Sequence, residues 1–286
     1  MKWIAASAKF ALLLILAVTI TGCGLMRSSV AALKSTGHFV PMGGDRRVFS
    51  EPGAEDVAVV VAADLADAIT TVEREQFRSF VKPVQVYVTK DEESFAAFTG
   101  VPKQVRGAVI IKVFLSGGLR KEPERIKRIL THELSHLHLG QQLGIYGYNA
   151  NLPSWFQEGL AVTVSGGGGA ERVSEAGAAK VILEGKGLKP EATGSFFFKK
   201  SAQSYGIEPH MFYRQSGMFV AWLMHLDLDR FRSFMLAIED GKDFEESFNQ
   251  ELGLSLDKAW QQFTTELKTA PGGRPAWGAA WVRRSE

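Results

Sequence analysis

His132, Glu133 and His136 stand in the order H-E-x-x-H within the stretch "RIKRILTHELSHLHLGQQLG". On a helix, residues four apart lie on one face, one turn above the other. Two imidazoles so placed can converge on one ion at ~2.0–2.1 Å, as zinc requires. Glu133 is one position round from His132 and can reach a water at the metal, where a general base is needed. A catalytic zinc also needs a third protein ligand and an open fourth position. His138 points well away from the His132–His136 face, so it is excluded from the ligand set and is expected to be a surface or packing histidine.

The elements around the motif suit that chemistry. Ile126, Leu130, Leu134 and Leu137 form one apolar stripe, with Glu133 at its edge and the two histidines beyond it, a pattern expected of a helix that walls a cleft. Upstream, "RGAVIIKVFLSGG" is β-branched, apolar and bounded by glycines, which predicts a strand or hairpin feeding the motif helix, with Pro123 in that helix's first turn. Downstream, "NLPSWFQEGLAV" predicts a second helix opened by Pro153 and Ser154. Ser154 and Gln157 have the spacing of a capping box, and Glu158 falls within roughly the first turn.

At this point the chain resembles the gluzincin metallopeptidases, which carry H-E-x-x-H on one helix and a ligand glutamate on a later one. It is similar in more detail to bacterial peptidase MA-like domains, through "PSWFQEGLA", "FYRQSGMFVAWL" and "GLSLDKAW". The resemblance runs roughly from Val84 to Leu267. It implies an α+β, zincin-like fold: a small N-terminal sheet with an edge strand beside the motif helix, then a mostly helical C-terminal part. It implies that His132, His136 and Glu158 ligate Zn2+ and that Glu133 is the general base. Tyr213 is the implied oxyanion support, with His210 in reserve. It also implies a peptide or protein substrate lying along an edge strand, for which "VIIKVFLS" is the candidate; Lys112 is read as a solvated lysine on that edge. Many gluzincins place an acidic residue one turn after the ligand glutamate to orient a histidine. Here that position is Val162, so support for the ligands is expected from elsewhere, such as a backbone carbonyl.

The remaining chain reads as scaffold. "DVAVVVAADLADAITTVEREQFRSF" predicts a long helix from Asp56, and Val84, Val86 and Val88 alternate as in a strand. Thr89 and Glu92 are spaced as a capping box before a short helix stopped by Gly100. "SGGGGAER" reads as a flexible loop. Three short amphipathic helices follow late in the chain, with stops at Gly241 and Gly253.

The N-terminus has its own signal. "MKWIAASAKFALLLILAVTITGCG" joins a basic start to an apolar run shorter than the ~20 residues a bilayer span needs, as in a secretory signal peptide. "ITGC" resembles a lipobox, which implies lipidation of Cys23. It is the one cysteine of the 286 residues, so no intramolecular disulfide can form. Gly24 follows it, rather than an aspartate, which by the same resemblance favours the outer membrane. The expected organisation is a lipoprotein signal peptide over 1–22, a lipid-anchored tether over 23–52 with one short strand at "HFVPM", a zincin-like domain over 53–268 and a flexible tail over 269–286. A net charge of +2 implies no pull toward nucleic acid. The expectation is a membrane-anchored zinc metallopeptidase of the bacterial envelope, facing the periplasm. The alternative is a non-catalytic, zinc-stabilised lipoprotein that binds or assembles envelope partners.

Overall fold

The computed structural model describes residues 34–192 and 200–270. The signal segment, Cys23 and nearly all of the C-terminal tail lie outside the described residues. The chain is α+β: a mixed five-stranded sheet followed by a mostly helical C-terminal part. Strands β1 (Val40–Pro41), β2 (Val48–Ser50), β3 (Val86–Thr89), β4 (Gly107–Ile110) and β5 (Lys112–Ser116) lie in the order β1-β2-β3-β5-β4. β2, β3 and β5 are parallel, and β1 and β4 are antiparallel edges. β1 is the short strand expected at "HFVPM" within the tether; β2 also belongs to the sheet, although it falls in the stretch read as tether. Of the strand and hairpin readings of "RGAVIIKVFLSGG" the hairpin holds, so "VIIKVFLS" is divided: β4 is an edge and β5 is an interior strand, because the chain reverses at Ile111 (φ 64).

Alternation along the strands sends side chains to two different cores. Val86, Val88, Val113 and Leu115 face the large one. Tyr87 and Phe114 join Phe39 and Phe95 in a small aromatic cluster on the other face, under helix α2 (Glu92–Thr99). This is why β3 is buried on both faces. α2 is capped by Asp91, whose carboxylate accepts from the Ser94 N–H at 2.8 Å, rather than by Thr89. Gly100 ends it in the left-handed region at φ 74.

Helix α1 (Glu55–Glu75) buries Val57, Val61, Leu65, Ala68 and Val72, an i, i+3/i+4 stripe that packs on the sheet and on the motif helix. It stops before Phe80, since Phe77 takes φ 66. After β5, two 3-10 turns, Gly117–Lys121 and Pro123–Arg125, lead into α3 (Ile126–Asn151), so Pro123 starts a 3-10 turn and not the helix itself. Next come α4 (Ser154–Val164), α5 (Glu175–Leu183), α6 (Pro209–Leu226), α7 (Leu228–Glu239), α8 (Phe244–Leu252) and α9 (Leu256–Thr269). Among the described residues no helix is long and apolar enough to cross a membrane.

The α4–α6 contact fixes Glu158. A Cβ on Gly159 would stand 2.5 Å from the Ser216 carbonyl oxygen, and one on Gly217 would stand 2.5 Å from Val162 Cγ1. Only glycines let these backbones approach so closely. Behind the contact, Trp155, Phe156, Phe234 and Phe244 pack edge to face, and Phe219 lies tilted against Trp155. Glu158, next to Gly159, is thereby held on the face of α4 that meets α3.

Candidate metal centre

The structure brings His132, His136 and Glu158 together. His132 Nε2 and His136 Nε2 are 3.0 Å apart, and Glu158 Oε2 lies 3.4 Å from each. Ligands held tetrahedrally at ~2.0–2.2 Å stand about 3.3–3.6 Å from one another. Two sides of the triangle match that spacing and the third is slightly short. Glu158 Oε2 is inaccessible to solvent and makes no hydrogen bond, so a buried oxygen is aimed into the gap between two imidazole nitrogens with nothing to satisfy it. The three groups can hold a metal ion. The donor set of two nitrogens and one oxygen is compatible with zinc and not specific for it.

Electrostatics agree with a cation at this point. Burial alone would raise the Glu158 carboxyl, but the two imidazoles 3.4 Å away pull it well below the usual carboxylate range. Burial works to lower the His132 imidazole, and the neighbouring Glu158 and Glu133 more than offset it, so its pKa is raised. Glu133 behaves differently. Its carboxyl is raised, chiefly by burial, although both histidines oppose the shift. A carboxylate that gains a proton readily, on the same turn as the ligands, has the character required of a base that must also return its proton.

Glu133 is also sterically confined. A Cβ on Gly107 would fall 2.5 Å from Glu133 Cγ, so the edge strand β4 packs directly against this side chain only because residue 107 is glycine. The glycine-rich stretch after α4 has a similar role. A Cβ on Gly169 would come within 3.3 Å of His132 Cε1, and one on Gly168 within 2.6 Å of the Arg128 carbonyl oxygen. Arg214 of α6 donates to the Ala170 and Val173 carbonyls at 3.0 and 2.8 Å and pins this turn in place. The segment expected to be a flexible loop is a packed wall behind His132.

Tyr213 and His210 both line the cleft with the cluster. The Tyr213 ring centroid is 6.1 Å from that of His132. The Glu158 charge, then burial, hold the Tyr213 phenol well above its ordinary pKa, so it remains an O–H donor at neutral pH. His210 Nδ1 donates to the Gly169 carbonyl at 2.7 Å. His138 is absent from the cleft wall and is fully buried as a packing histidine. Gln76 Nε2 donates to its Nδ1 at 3.1 Å, and its Nε2 donates to the Arg78 carbonyl at 2.9 Å. Burial lowers its pKa, in keeping with that neutral tautomer.

Sequence reasoning missed Tyr148. Its hydroxyl lies 2.9 Å from His136 Nδ1, the nitrogen turned away from Glu158. For Nε2 to offer a lone pair to a metal, Nδ1 must carry the proton and donate it to the Tyr148 oxygen. Tyr148 is twelve residues past His136, about 18 Å along a straight helix, too far for a phenol to reach back. The helix is not straight. Gly144 takes φ 69 and ψ 166 and breaks α3, and the segment beyond it turns back toward the ligands. Gln157 then ties it down: its Nε2 donates to the Tyr148 carbonyl at 2.7 Å and to that of Leu152 at 3.1 Å. Gln157 thus secures the turn between α3 and α4 and forms no capping box with Ser154; α4 has no side-chain cap. Tyr148→Phe is expected to weaken zinc binding about 10- to 100-fold, the usual cost of losing a ligand's hydrogen-bond partner. Competition against a chromophoric chelator measures this, and unchanged affinity would remove Tyr148 from the site.

The cleft has a volume of about 1230 Å³ and runs from β4 across α3 to the start of α6. No protein family, curated protein or solved structure matches the chain.

Proposed function

We propose that this chain is a zinc metallopeptidase of zincin-like fold that cleaves peptide bonds in extended protein segments. The observation that carries the reading is the triangle of His132 Nε2, His136 Nε2 and Glu158 Oε2, with Glu133 buried beside it on the wall of an open cleft. A structural zinc site has no use for a raised-pKa carboxylate next to its ligands, and closed structural sites favour cysteine. Zinc, when bound, would lower the pKa of water toward neutrality and polarise a carbonyl.

The chain's own groups would perform the rest. Glu133 accepts the proton of the attacking water and delivers it to the leaving amine. Tyr213 donates its O–H to the oxygen that gains negative charge. The edge strand β4, whose Gly107 and Val109 line the cleft, has no further strand beside it among the described residues and could add an extended peptide, which would set the scissile bond opposite Glu133. Tyr148 keeps His136 in the tautomer that presents Nε2. The lipobox-like "ITGC" supports an exported lipoprotein anchored through Cys23, with an outer-membrane, periplasm-facing position.

The test is metal removal and return. Dialysis against a strong chelator is expected to abolish cleavage of an unfolded protein substrate, and one equivalent of zinc should restore it. Full activity in protein shown to be metal-free would overturn the proposal.

A further inference from the structure

The charges along the cleft are unevenly distributed. Arg106 and Arg125 line it, but Glu122 neutralises both from behind the wall: Arg106 Nη2 is 3.1 Å from Glu122 Oε1, and Arg125 pairs with Glu122 and with Glu171 at 3.2 Å. Lys82, Lys112 and Arg172 also line the cleft, and among the described residues none of them is in an ion pair; Arg172 follows the Gly169 wall on the His132 side, the side of Glu208. Lys112 is half-buried. Its Nζ lies 4.7 Å over the Tyr87 ring and donates to the Tyr87 hydroxyl at 3.1 Å, which leaves ammonium protons for another acceptor. The backbones of the two lysines meet at one end of the cleft, with the Lys112 ammonium on the Tyr87 side of the sheet. The Gln85 carbonyl accepts from the Val113 N–H, next to Lys112, and the Lys82 N–H donates to Gln141 Oε1 on α3 at 2.7 Å.

The carboxylates that line the cleft lie elsewhere. Glu133 and Glu158 belong to the cluster, and Glu208 adjoins Pro209 and His210 at the start of α6, on the His132 side of the cleft. Among the described residues no carboxylate balances the positive charge of the lysine end.

We infer that this end is an anion-accepting subsite, and that the preferred peptides carry an acidic side chain some three residues from the bond aligned with Glu133. The spacing follows from the edge strand. Gly107 packs on Glu133, and Ile110, three residues further, pairs with Lys112, a run of about 10 Å at ~3.4 Å per residue. The placement relative to a scissile bond rests on the peptidase reading; the anion preference does not.

The experiment therefore reads binding first. The zinc-loaded Glu133→Gln protein is titrated, by fluorescence anisotropy, into labelled extended peptides that differ only in an Asp-Glu, Asn-Gln or Lys-Lys pair. The acidic peptide is expected to bind about five- to tenfold more tightly than the neutral one at low salt, with the difference shrinking as salt rises. The Lys82→Gln/Lys112→Gln double variant should lose the difference while keeping its affinity for the neutral peptide, and Lys112→Arg should keep it. Equal binding of acidic and neutral peptides, or a preference that survives the double substitution, would overturn the inference. A charge preference in binding, with no cleavage of any peptide by the wild-type zinc protein, would leave the subsite standing and remove the peptidase.

Discussion

Glu133→Gln is expected to leave zinc occupancy and thermal stability close to wild type while hydrolysis of an unfolded protein falls by ~10²-fold or more, the usual worth of a positioned base. The expectation follows from where the carboxylate sits. Glu133 shares a helical turn with the ligands but is not one of the three groups that converge; its side chain packs against the Gly107 backbone. An amide of the same size fits that space and keeps much of the hydrogen bonding, so neither fold nor metal should suffer. It cannot take a proton from water as a carboxylate does. Zinc content by elemental analysis and turnover on one preparation separate the two effects. If zinc and fold survive and hydrolysis is also unchanged, Glu133 is not the base. If neither wild type nor variant hydrolyses anything, while ligand substitutions abolish a phenotype that Glu133→Gln preserves, the chain is a zinc-stabilised envelope binding module.

What the sequence made legible follows the range of the interactions involved. The His132–His136 pair and the exclusion of His138 needed only helical geometry, and the structure puts the first two together and buries the third 0% exposed in packing. The stripe of Ile126, Leu130, Leu134 and Leu137 is likewise local, and all four are buried. The stops at Gly100 and Gly253 were readable because left-handed φ favours glycine. Features set by distant partners were not readable. Asp91, not Thr89, caps α2, because caps depend on backbone geometry that spacing alone does not fix. Gln157 looked like a cap partner and instead bonds carbonyls across the α3–α4 turn. "SGGGGAER" looked loose by composition, yet its glycines are there for close approach to His132 and Arg128. Tyr148 carried one usable signal, Gly144, a glycine within a helical pattern; nothing local said that the chain would double back there. The division of "VIIKVFLS" into edge and interior strands depends on a reversal at Ile111, a β-branched residue that rarely adopts φ 64.

Glu158→Ala should abolish stoichiometric zinc binding at micromolar concentration, and this is the substitution that tests the assembled site rather than the motif. His132 and His136 come from one helix and would approach each other in any chain with this spacing. Glu158 reaches them only because α4 packs on α6 through Gly159 and Gly217 and because the break at Gly144 turns the chain back. Binding free energies of about 10–16 kcal/mol, shared among four ligands in structural zinc peptides, put each ligand at ~3 kcal/mol, or ~10²-fold in affinity. The loss here should be at least that large, since the removed group also supplies the negative charge of the set. Glu158→Gln should fall between the two, because it keeps an oxygen in place without the charge. The fold is expected to persist in both variants, since the Glu158 side chain is 23% exposed and contributes to the site and not to the aromatic core behind it. Isothermal titration with zinc, beside circular dichroism of the metal-free proteins, reads both quantities. A Glu158→Ala protein that binds zinc as tightly as wild type would show that the third ligand lies elsewhere, and with it would fall the reading of α4 as the element that completes the centre.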